Sequence, residues 1–419
     1  MEVRPGYKRT DIGLIPEQWE VKRIADFAYV GSGGTPSREI AAYWGGSIPW
    51  ITTSQIDFGV IAEADQFITD DGLRNSAAKL LPVGTLLMAL YGQGKTRGKV
   101  GVLGIPAATN QACASIALHD GVSREFILHF LTSRYEVIRN SSNNGSQENL
   151  NGNIVKGTLV AFPQLPEQRT IAAALSDVDA LLVGLERLIT KKRDLKQAAM
   201  QKLLTGQTRL PGFSGQWEVK RLGRVGRCLR GVTYRGDSDL STHDTSHTKR
   251  LLRSNNVQNA IVVADEVQFV NAARVAMHQI LKKDDILICM ANGSKALVGK
   301  AGLFSLSNGY EYTFGAFMGC FRTDSYEANP TFVFYLFQTG RYRDYINNLL
   351  AGSSINNLKP SSIESLEFST PPVSEQTAIA AVLSDMDGEL SALVARRDKT
   401  RDLKQAMMQE LLTGRTRLV

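Results

Sequence analysis

The sequence predicts a mixed α+β protein with two globular domains of short strands and helices, each followed by a long helix. Two internal repeats predict this arrangement. Residues 166–210 and 374–418 align without a gap and are identical at 27 of 45 positions. A shorter repeat, WEVKRI at 19–24 and WEVKRL at 217–222, lies near the start of each half. The two pairs are offset by 208 and 198 residues, so the sequence between them has changed in length.

These repeats divide the chain into alternating variable and constant segments. We expect a first variable domain at residues 1–165 and a first constant helix at 166–210. A second variable domain follows at 211–373, and a second constant helix at 374–419. A chain that keeps its helices and diversifies two inserts is more consistent with recognition of two things than with catalysis of one reaction.

The constant segments carry apolar residues at alternating steps of four and three, the pattern of a coiled-coil seam. The seam residues are Ile171, Leu175, Val178, Leu182 and Leu185 in the first segment and Ile379, Leu383, Met386, Leu390 and Leu393 in the second. We expect the two helices to pair antiparallel, because a whole domain separates them along the chain. The alternative is that each helix packs only on its own domain. Polar residues interrupt the seam further along and predict a wet region or a second partner surface: Lys192, Lys196, Arg397, Thr400 and Lys404.

The variable segments contain short apolar runs separated by glycine, asparagine and serine turns, which favours short strands. Helices are expected near Glu125–Ile138 and Thr331–Asn348. A weak similarity between the two segments aligns Lys99 with Lys300, Gly101 with Gly302, Asn149 with Asn357 and Leu150 with Leu358.

Composition restricts the class of protein. The chain is 43% hydrophobic and 21% charged, as in globular proteins, and no apolar run reaches the length of a membrane span. We therefore expect a cytoplasmic protein with no membrane partner. Cys113, Cys228, Cys289 and Cys320 are far apart and predict buried reduced thiols rather than a disulfide framework or a metal site. The net charge of +7 favours a polyanionic partner.

Three short motifs suggest enzymatic chemistry and fail on their details. GQGKT at residues 92–96 lacks the first glycine of a phosphate-binding loop, since Ala89 occupies that position. NPTF at 329–332 resembles a motif of amino-methyltransferases but has Thr331 in place of proline. HDTSH at 243–247 has no third metal ligand. We expect no catalytic residue and no metal site, because no catalytic constellation is duplicated along with the chain.

Amide and basic side chains on the loops of the variable domains are suited to nucleic acid. Asparagine and glutamine can read adenine, and arginine and lysine can read guanine or contact phosphates. The candidates are Thr35, Gln93, Lys95, Arg97, Lys99, Asn110 and Gln111 in the first domain and Asn255, Asn256, Asn292, Lys295 and Lys300 in the second. Lys95, Arg97 and Lys99 belong to a glycine-rich hairpin that we interpret as a phosphate clamp. A solvated charged turn is the alternative.

The chain resembles the specificity subunits of type I restriction-modification systems over essentially its whole length. The similarity depends on GYKRTDIGLIPEQWEVKRI near the start, GGTPS at 33–37, IPWI at 48–51 and TNQACASI from Thr109. It also includes the two helices that begin with EQ and the two LLTG ends. The second half has only RGVTYRG at 230–236 and RSNNVQ at 253–258 where GGTPS and IPWI would be expected.

The resemblance implies that the variable segments are target-recognition domains that each read one half of a split DNA target. The paired helices would set the distance between the halves and bind two methyltransferase subunits, and restriction subunits would join in a restriction complex. S-adenosylmethionine, ATP and Mg²⁺ would be bound by those partner subunits and not by this chain. Because the variable domains differ, we expect an asymmetric target.

Two other functions are compatible with parts of the sequence. One is a DNA methyltransferase or nuclease with an unrecognised active site, and the other is a coiled-coil scaffold without a DNA role. The sequence has no glycine-rich S-adenosylmethionine loop after a strand, which counts against the enzyme. The basic, amide-rich loops count against the scaffold.

Overall fold

The computed structural model describes residues 5–92, 95–141, 149–351 and 356–418. The chain forms two compact units, which are considered separately. Unit 1 contains residues 1–187 and 394–419, and unit 2 contains residues 188–393. The mixed α+β class predicted from the sequence is confirmed.

The first variable segment contains short strands and helices. Its strands are β1 Tyr7–Thr10, β2 Gly13–Pro16, β3 Glu20–Arg23, β4 Ala28–Ser32, β5 Trp44–Ile51, β6 Val60–Ile61, β7 Gln66–Ile68, β8 Leu86–Ala89, β9 Val100–Leu103, β10 Ala108–Thr109, β11 Cys113–Leu118 and β12 Leu159–Phe162. Its helices are α1 Ile24–Phe27, α2 Asp70–Arg74, α3 Arg124–Ser133, α4 Tyr135–Asn140 and α5 Gly152–Gly157, and the long helix α6 Leu165–Leu203 follows.

The second variable segment follows a similar order. Its strands are β13 Glu218–Arg221, β14 Gly226–Arg230, β15 Leu240–Ser241, β16 Thr248–Leu252, β17 Val257–Gln258, β18 Ile261–Val262, β19 Gln268–Asn271, β20 Ile286–Cys289, β21 Ala301–Leu303, β22 Tyr312–Phe314, β23 Met318–Thr323 and β24 Glu367–Thr370. Its helices are α7 Leu222–Val225, α8 Gly236–Asp239, α9 Pro330–Leu336, α10 Gly340–Ala351 and α11 Pro360–Glu364, and the long helix α12 Val373–Leu411 follows.

Each unit contains a larger and a smaller sheet in addition to two-stranded sheets, which are β1-β2 and β12-β3 in unit 1 and β13-β24 in unit 2. In unit 1 the strand orders are β4-β11-β8-β9-β6 and β10-β5-β7. In unit 2 they are β14-β23-β20-β21-β18-β17 and β15-β19-β16-β22. The central strands β8 and β20 are buried at every position, which explains their uninterrupted apolar sequences. The helices predicted near Glu125 and Thr331 are present as α3 with α4 and as α9 with α10.

The long helices run antiparallel where they pair inside each unit. In unit 1 Asp179 Oδ1 lies 2.6 Å from Lys404 Nζ. Further along α6, Glu186 forms an ion pair with Arg401, which precedes Lys404 in α12. In unit 2 Lys192 Nζ lies 2.7 Å from Glu389 Oε1, and Lys196 pairs with Asp387. Numbers rise on one helix as they fall on the other, so the predicted antiparallel pairing is confirmed.

The predicted seam residues are buried or half-buried, but they serve two surfaces. Ile171 and Leu175 belong to the core of unit 1, together with Leu411 and Leu412 from the end of α12. Ile379 and Leu383 belong to the core of unit 2, together with residues from the end of α6. The remaining seam residues lie nearer the middle of the two helices: Val178, Leu182, Leu185, Met386, Leu390 and Leu393. The first turns of each helix therefore pack on a domain, in addition to the pairing of the two helices.

Most of the polar interruptions of the seam form ion pairs between the two helices. Lys192, Lys196 and Lys404 each pair with a carboxylate of the other helix within one unit. Thr400 is buried, and its hydroxyl donates to the carbonyl of Arg396. The lysine side chains reach partly exposed acidic residues across the pair, and the predicted wet region or second partner surface stays a prediction.

A buried glutamate ties the repeats together in each unit. Glu375 is fully buried and accepts two hydrogen bonds from Arg209 and one from Trp217 Nε1. In unit 1 Glu167 accepts from Arg417 and from Trp19 Nε1 at 3.0 Å. The repeated EQ, LLTG-x-TR and WEVKR segments thus meet at one cluster in each unit. Their shared role in this cluster explains why all three are repeated.

The cysteine side chains agree with the sequence prediction of buried thiols. All four cysteines are buried and unpaired, and burial raises the pKa of the Cys113 thiol to about 12. Within the described ranges, no helix combines the length and apolarity needed to cross a membrane.

Candidate nucleic-acid interface

The two variable domains build the same backbone frame between their sheets. In unit 1 the amide of Gly34 donates to Thr109 O at 2.8 Å, and in unit 2 Val232 donates to Phe314 O at 2.7 Å. A second bond runs from Asn110 N to Ile51 O at 3.1 Å in unit 1. Its equivalent in unit 2 runs from Gly315 N to Leu252 O at 3.0 Å. These bonds align GGTPS with GVTYR and ITTSQ with LRSNN, so the second half keeps both segments in changed sequence.

A glycine is required at the first position of each segment. A Cβ at Gly33 would lie 2.1 Å from Thr109 O, and a Cβ at Gly231 would lie 2.0 Å from Gly315 O. No side chain fits such distances, because the obstructing atoms are backbone. In both units, therefore, a glycine lies in close contact with a second backbone segment. In the sequence of unit 2, only RGV at 230–232 indicates this similarity.

In unit 2 this frame surrounds a cleft of about 1080 Å³. Its lining combines amide, hydroxyl, basic and aromatic groups: Thr233, Tyr234, Arg253, Ser254, Asn255, Glu266, Ala291, Asn292, Gly293, Gly315, Ala316, Phe317, Met318 and Asn356. The exposed fraction of Phe317 is 70%. The Nε of Arg253 is buried and makes no hydrogen bond within the described part of the chain. The cleft thus offers an exposed aromatic face to a ligand.

The equivalent region of unit 1 brings Thr35 and Gln111 together. Both are exposed, and the Thr35 hydroxyl donates to Gln111 Oε1 at 2.5 Å. The side-chain oxygen of Asn110 is used inside the loop, where it accepts from Ala112 N and Cys113 Sγ. Thr35 and Gln111 are therefore the more accessible pair for a partner, and Asn110 positions their loop.

The glycine-rich hairpin is less open than the phosphate-clamp interpretation requires. Lys95 is exposed, but Lys99 forms an ion pair with Asp57 at 2.7 Å. Arg97 is only 7% exposed, so its guanidinium does not face solvent as a clamp would need. Gln93 lies outside the described residues. Lys99 and Lys300 do occupy equivalent positions, because their carbonyls accept from Ala89 N and Cys289 N in the two units.

The residues of unit 2 that were predicted to contact DNA also divide into exposed and buried ones. Asn255 is exposed in the cleft, and Asn292 lines it while capping Ser294 N. Asn256 is fully buried, and its amide group bonds Arg253 N and Asp265 O. It therefore holds the turn that presents Asn255 and cannot read a base from this position. Lys295 is exposed beside the cleft residues, and Lys300 is half-buried.

Sequence reasoning missed the aromatic part of the cleft. Tyr234 and Phe317 line it, yet neither belongs to a pattern of amides or lysines. A signal was available for Tyr234, because the offset of 198 that relates the two WEVKR segments also places it opposite Pro36 of GGTPS. No comparable signal marks Phe317, which follows a turn of altered sequence.

One cluster resembles a catalytic triad. In unit 1 His129 Nε2 lies 3.2 Å from Ser176 Oγ, and its Nδ1 lies 3.9 Å from Asp179 Oδ2. The second distance exceeds a hydrogen bond, and Asp179 is already paired with Lys404. Burial, reinforced by Lys404, lowers the pKa of His129 to about 4, so the ring is a poor base at neutral pH. We assign this cluster a structural role.

The other motifs with possible chemistry also have structural roles. Asn329 of NPTF caps α9 by accepting from Phe332 N at 3.0 Å. His243 and His247 lie on an exposed loop. Across the described residues, no group of three or more histidine, cysteine, aspartate or glutamate side chains could hold a metal ion.

The architecture defines a duplicated recognition protein, with two related domains and two repeated helices. The family model for the type I restriction modification DNA specificity domain matches residues 16–197 and 215–399. The chain therefore belongs to this family of restriction-modification specificity subunits, as its resemblance implied.

Curated relatives agree with this assignment. The type I restriction enzyme MjaIX specificity subunit of Methanocaldococcus jannaschii is 29% identical over 242 residues, covering 52% of this chain and 54% of the relative. The EcoKI specificity subunit of Escherichia coli K12 is 30% identical over 198 residues, covering 47% and 42%. In these alignments the chain spans about half the length of the relatives. The MjaVIII specificity subunit is 21% identical, with 96% and 94% covered.

A solved structure shows the same fold. The S subunit of a type I restriction-modification system from M. genitalium has a TM-score of 0.60 and 15% sequence identity, with 98% of both chains covered. At this identity the similarity concerns the fold alone.

Proposed function

We propose that this chain is a non-catalytic, sequence-specific subunit that reads a bipartite, asymmetric target in double-stranded DNA. It would position two methyltransferase subunits and, in a restriction complex, restriction subunits. S-adenosylmethionine, ATP and Mg²⁺ would be bound by those partners. The site of action would be the cytoplasm.

The observation that carries the proposal is one backbone frame with two different linings. The frame repeats between the units through equivalent hydrogen bonds and two obligatory glycines. The threonine pair Thr35 and Thr233 is kept, whereas Gln111 is replaced by Ala316. A constant frame with exchanged side chains is expected of two readers of different sequences.

The helices support the part of the proposal that concerns spacing. Each helix contributes its first turns to one unit and its last turns to the other unit's core. If the paired helices set the distance between half-sites, a seven-residue insertion at matched points of both should change the number of bases between them. The bases that are read should stay the same.

The decisive experiment is methylome mapping in a host that lacks adenine methylation. The chain is expressed alone, and also with the methyltransferase encoded beside it. A split motif that appears only in the co-expression supports the proposal. Methylation by the chain alone would instead establish an enzyme, and a motif with two identical inverted halves would contradict the asymmetric target.

Single substitutions can assign each half-site to a cleft. Asn255→Ala should relax the sequence requirement in one half-site and Gln111→Ala in the other, because each base contact contributes about 1–3 kcal/mol of discrimination. Asn348→Ala and Gln164→Ala replace exposed residues of the same types away from the clefts and should leave the motif unchanged. Relaxation of the same half-site by both cleft variants would refute the assignment.

A binding assay separates a DNA reader from a scaffold. Affinity for duplex DNA containing the mapped motif should fall steeply as salt rises, because lysines and arginines release counterions from phosphates. A chain that binds duplex DNA at no salt concentration, alone or with its methyltransferase, would favour the scaffold function.

A further inference from the structure

The N-terminal hairpin β1–β2 covers a surface of unit 1 that has no equivalent cover in unit 2. In unit 1 Ile15 is 2% exposed, and Tyr7 Oη donates to Gly414 O at 2.8 Å. Ile12 and Leu14 contribute to a crevice that retains only about 30 Å³. Its other walls are Phe130, Ser133, Arg134, Ala161, Leu412 and Thr413.

In unit 2 the equivalent surface is an open groove of about 490 Å³. The long-helix repeat has an offset of 208, which makes Leu204 and Thr205 the counterparts of Leu412 and Thr413. The amides of Ser123 and Asn329 both donate to the glutamine of the EQ pair, so α3 and α9 align with an offset of 206.

The strand registers complete this alignment. Leu159 faces Arg23 in unit 1, and Glu367 faces Arg221 in unit 2. The counterparts of all six crevice walls line the open groove: Leu336, Thr339, Gly340, Ser369, Leu204 and Thr205. The groove is therefore the same surface without its hairpin.

Among the residues that the structure describes, none replaces the hairpin in unit 2. The linker of residues 204–217 is described throughout and forms no strand. Its Leu210 packs on the unit 2 core, and Trp217 lies against Gly206, where a Cβ would be 3.4 Å from the ring. The groove keeps an apolar floor, formed by Met200, Leu204, Leu336 and Phe368, between polar walls that include Gln197, Gln201 and Gln338.

We propose that the open groove is a docking site for a segment of a different protein that inserts two aliphatic side chains, as Ile12 and Ile15 do in unit 1. The seated hairpin of unit 1 shows what chemistry this surface accepts. A second copy of the chain is not the occupant, because its hairpin is already held on its own unit 1 by Ile15 and Tyr7. This inference does not depend on the proposed function.

The volume and chemistry of the groove fit such an occupant. A space of about 490 Å³ is of ligand-pocket size. Burying two aliphatic side chains on an apolar floor favours docking and opposes the cost of ordering the segment. The exposed amide and hydroxyl groups on the walls can pair with the backbone of an extended segment.

The test uses the full chain and a fluorescent peptide with the sequence of residues 5–18 as the probe. We expect saturable binding by anisotropy, and loss with a peptide in which the residues equivalent to Ile12 and Ile15 are serine. Ser369→Arg places a charge in the groove from a half-buried position and should weaken binding by at least about tenfold. Ser361→Arg, at an exposed position of the same unit, should bind like the wild type.

A second groove variant guards against a folding defect. Gln201→Arg changes an exposed helix residue that lines the groove and should weaken binding as Ser369→Arg does, with an unchanged melting temperature. Absence of peptide binding to the wild type would overturn the proposal. So would equal binding to both groove variants, since the peptide would then be exchanging with the hairpin of unit 1. Concentration-dependent self-association that both groove variants abolish would also overturn it in favour of a second copy.

Discussion

Units 1 and 2 present the same serine and aspartate of the helix repeat to different aromatic side chains. In unit 1 Ser176 and Asp179 lie beside His129. In unit 2 Tyr335 Oη donates to Asp387 Oδ2 at 2.7 Å and lies 3.4 Å from Ser384 Oγ. The repeated helix therefore offers fixed acceptors, and each variable domain supplies a different group to meet them.

The lysine of the opposite helix completes the comparison. Lys404 pairs with Asp179 in unit 1, and Lys196 pairs with Asp387 in unit 2. A tyrosine hydroxyl stays neutral beside this ion pair, whereas a histidine ring can take up a proton as the solution is acidified. The two units should therefore respond differently to pH although they are built alike.

The largest expected effect tests what the units share. Glu375→Ala and Glu167→Ala should each lower the free energy of unfolding by about 3 kcal/mol, because a buried carboxylate is lost and its arginine keeps no charged partner. Glu186→Ala removes a glutamate from an exposed pair and should change it by less than about 0.5 kcal/mol. Chemical denaturation measures all three. Equal effects of the buried and exposed substitutions would show that the clusters contribute no special stability.

The next effect separates the units by pH. The pKa of His129 is about 4 in the folded chain, below its ordinary value of 6.5, because burial disfavours the charged ring. The unfolded chain therefore binds more protons between these values, so stability is complete above pH 6.5 and falls on acidification towards pH 4. The loss attributable to His129 should reach about 2 kcal/mol at pH 5.

Hydrogen exchange measured at pH 7 and 5 can follow α3 in unit 1 and α9 in unit 2 within one sample. After correction for intrinsic exchange rates, α3 should lose more protection than α9 at the lower pH. His129→Phe should reduce this difference. If α3 of the variant still loses as much protection as before, the pH response comes from other groups.

A smaller effect tests the tyrosine of unit 2. Tyr335→Phe removes the hydroxyl that donates to Asp387 and should cost about 1 kcal/mol, since hydrogen bonds to charged groups exceed neutral ones but Asp387 is partly solvated. Tyr326→Phe, at a residue that is 93% exposed, is the matched control. A cost for the control equal to that for Tyr335→Phe would remove the hydrogen bond from the explanation.

The smallest effect concerns the exposed ion pair of unit 2. Lys192→Ala breaks the contact with Glu389, whose side chain is 52% exposed, and should cost less than about 0.5 kcal/mol. The small cost should shrink further at 1 M salt, where charges on the surface are screened. A cost above 2 kcal/mol at either salt concentration would show that the pair is more desolvated than its exposure indicates.

The sequence was most informative where it repeats. The seam pattern in the repeated segments predicted two long paired helices, and the domain between them predicted that the pairing is antiparallel. It could not show that Ile171 and Ile379 serve domain cores, because the same apolar residue suits a seam or a core. Lysines at seam positions indicated a defect, whereas the fold pairs them with carboxylates that lie about 200 residues away.

Local patterns were less informative about the recognition clefts. Thr35, Gln111 and Asn255 are exposed, as a residue that contacts DNA must be. Asn256 and Arg97, which were predicted on the same grounds of residue type, are buried. Residue type alone does not separate an amide that holds a turn from an amide that faces a ligand. Phe317 was missed because its exposure arises from a turn whose sequence differs between the halves.

The division into units also determines an order of folding during synthesis. Unit 2 is one continuous stretch, residues 188–393, whereas unit 1 needs residues 394–419 to join residues 1–187. Leu411 and Leu412 are core residues of unit 1, and Arg417 supplies a partner to the buried Glu167. On the ribosome the first variable domain to emerge must therefore wait with an incomplete core until the whole of the second has been made.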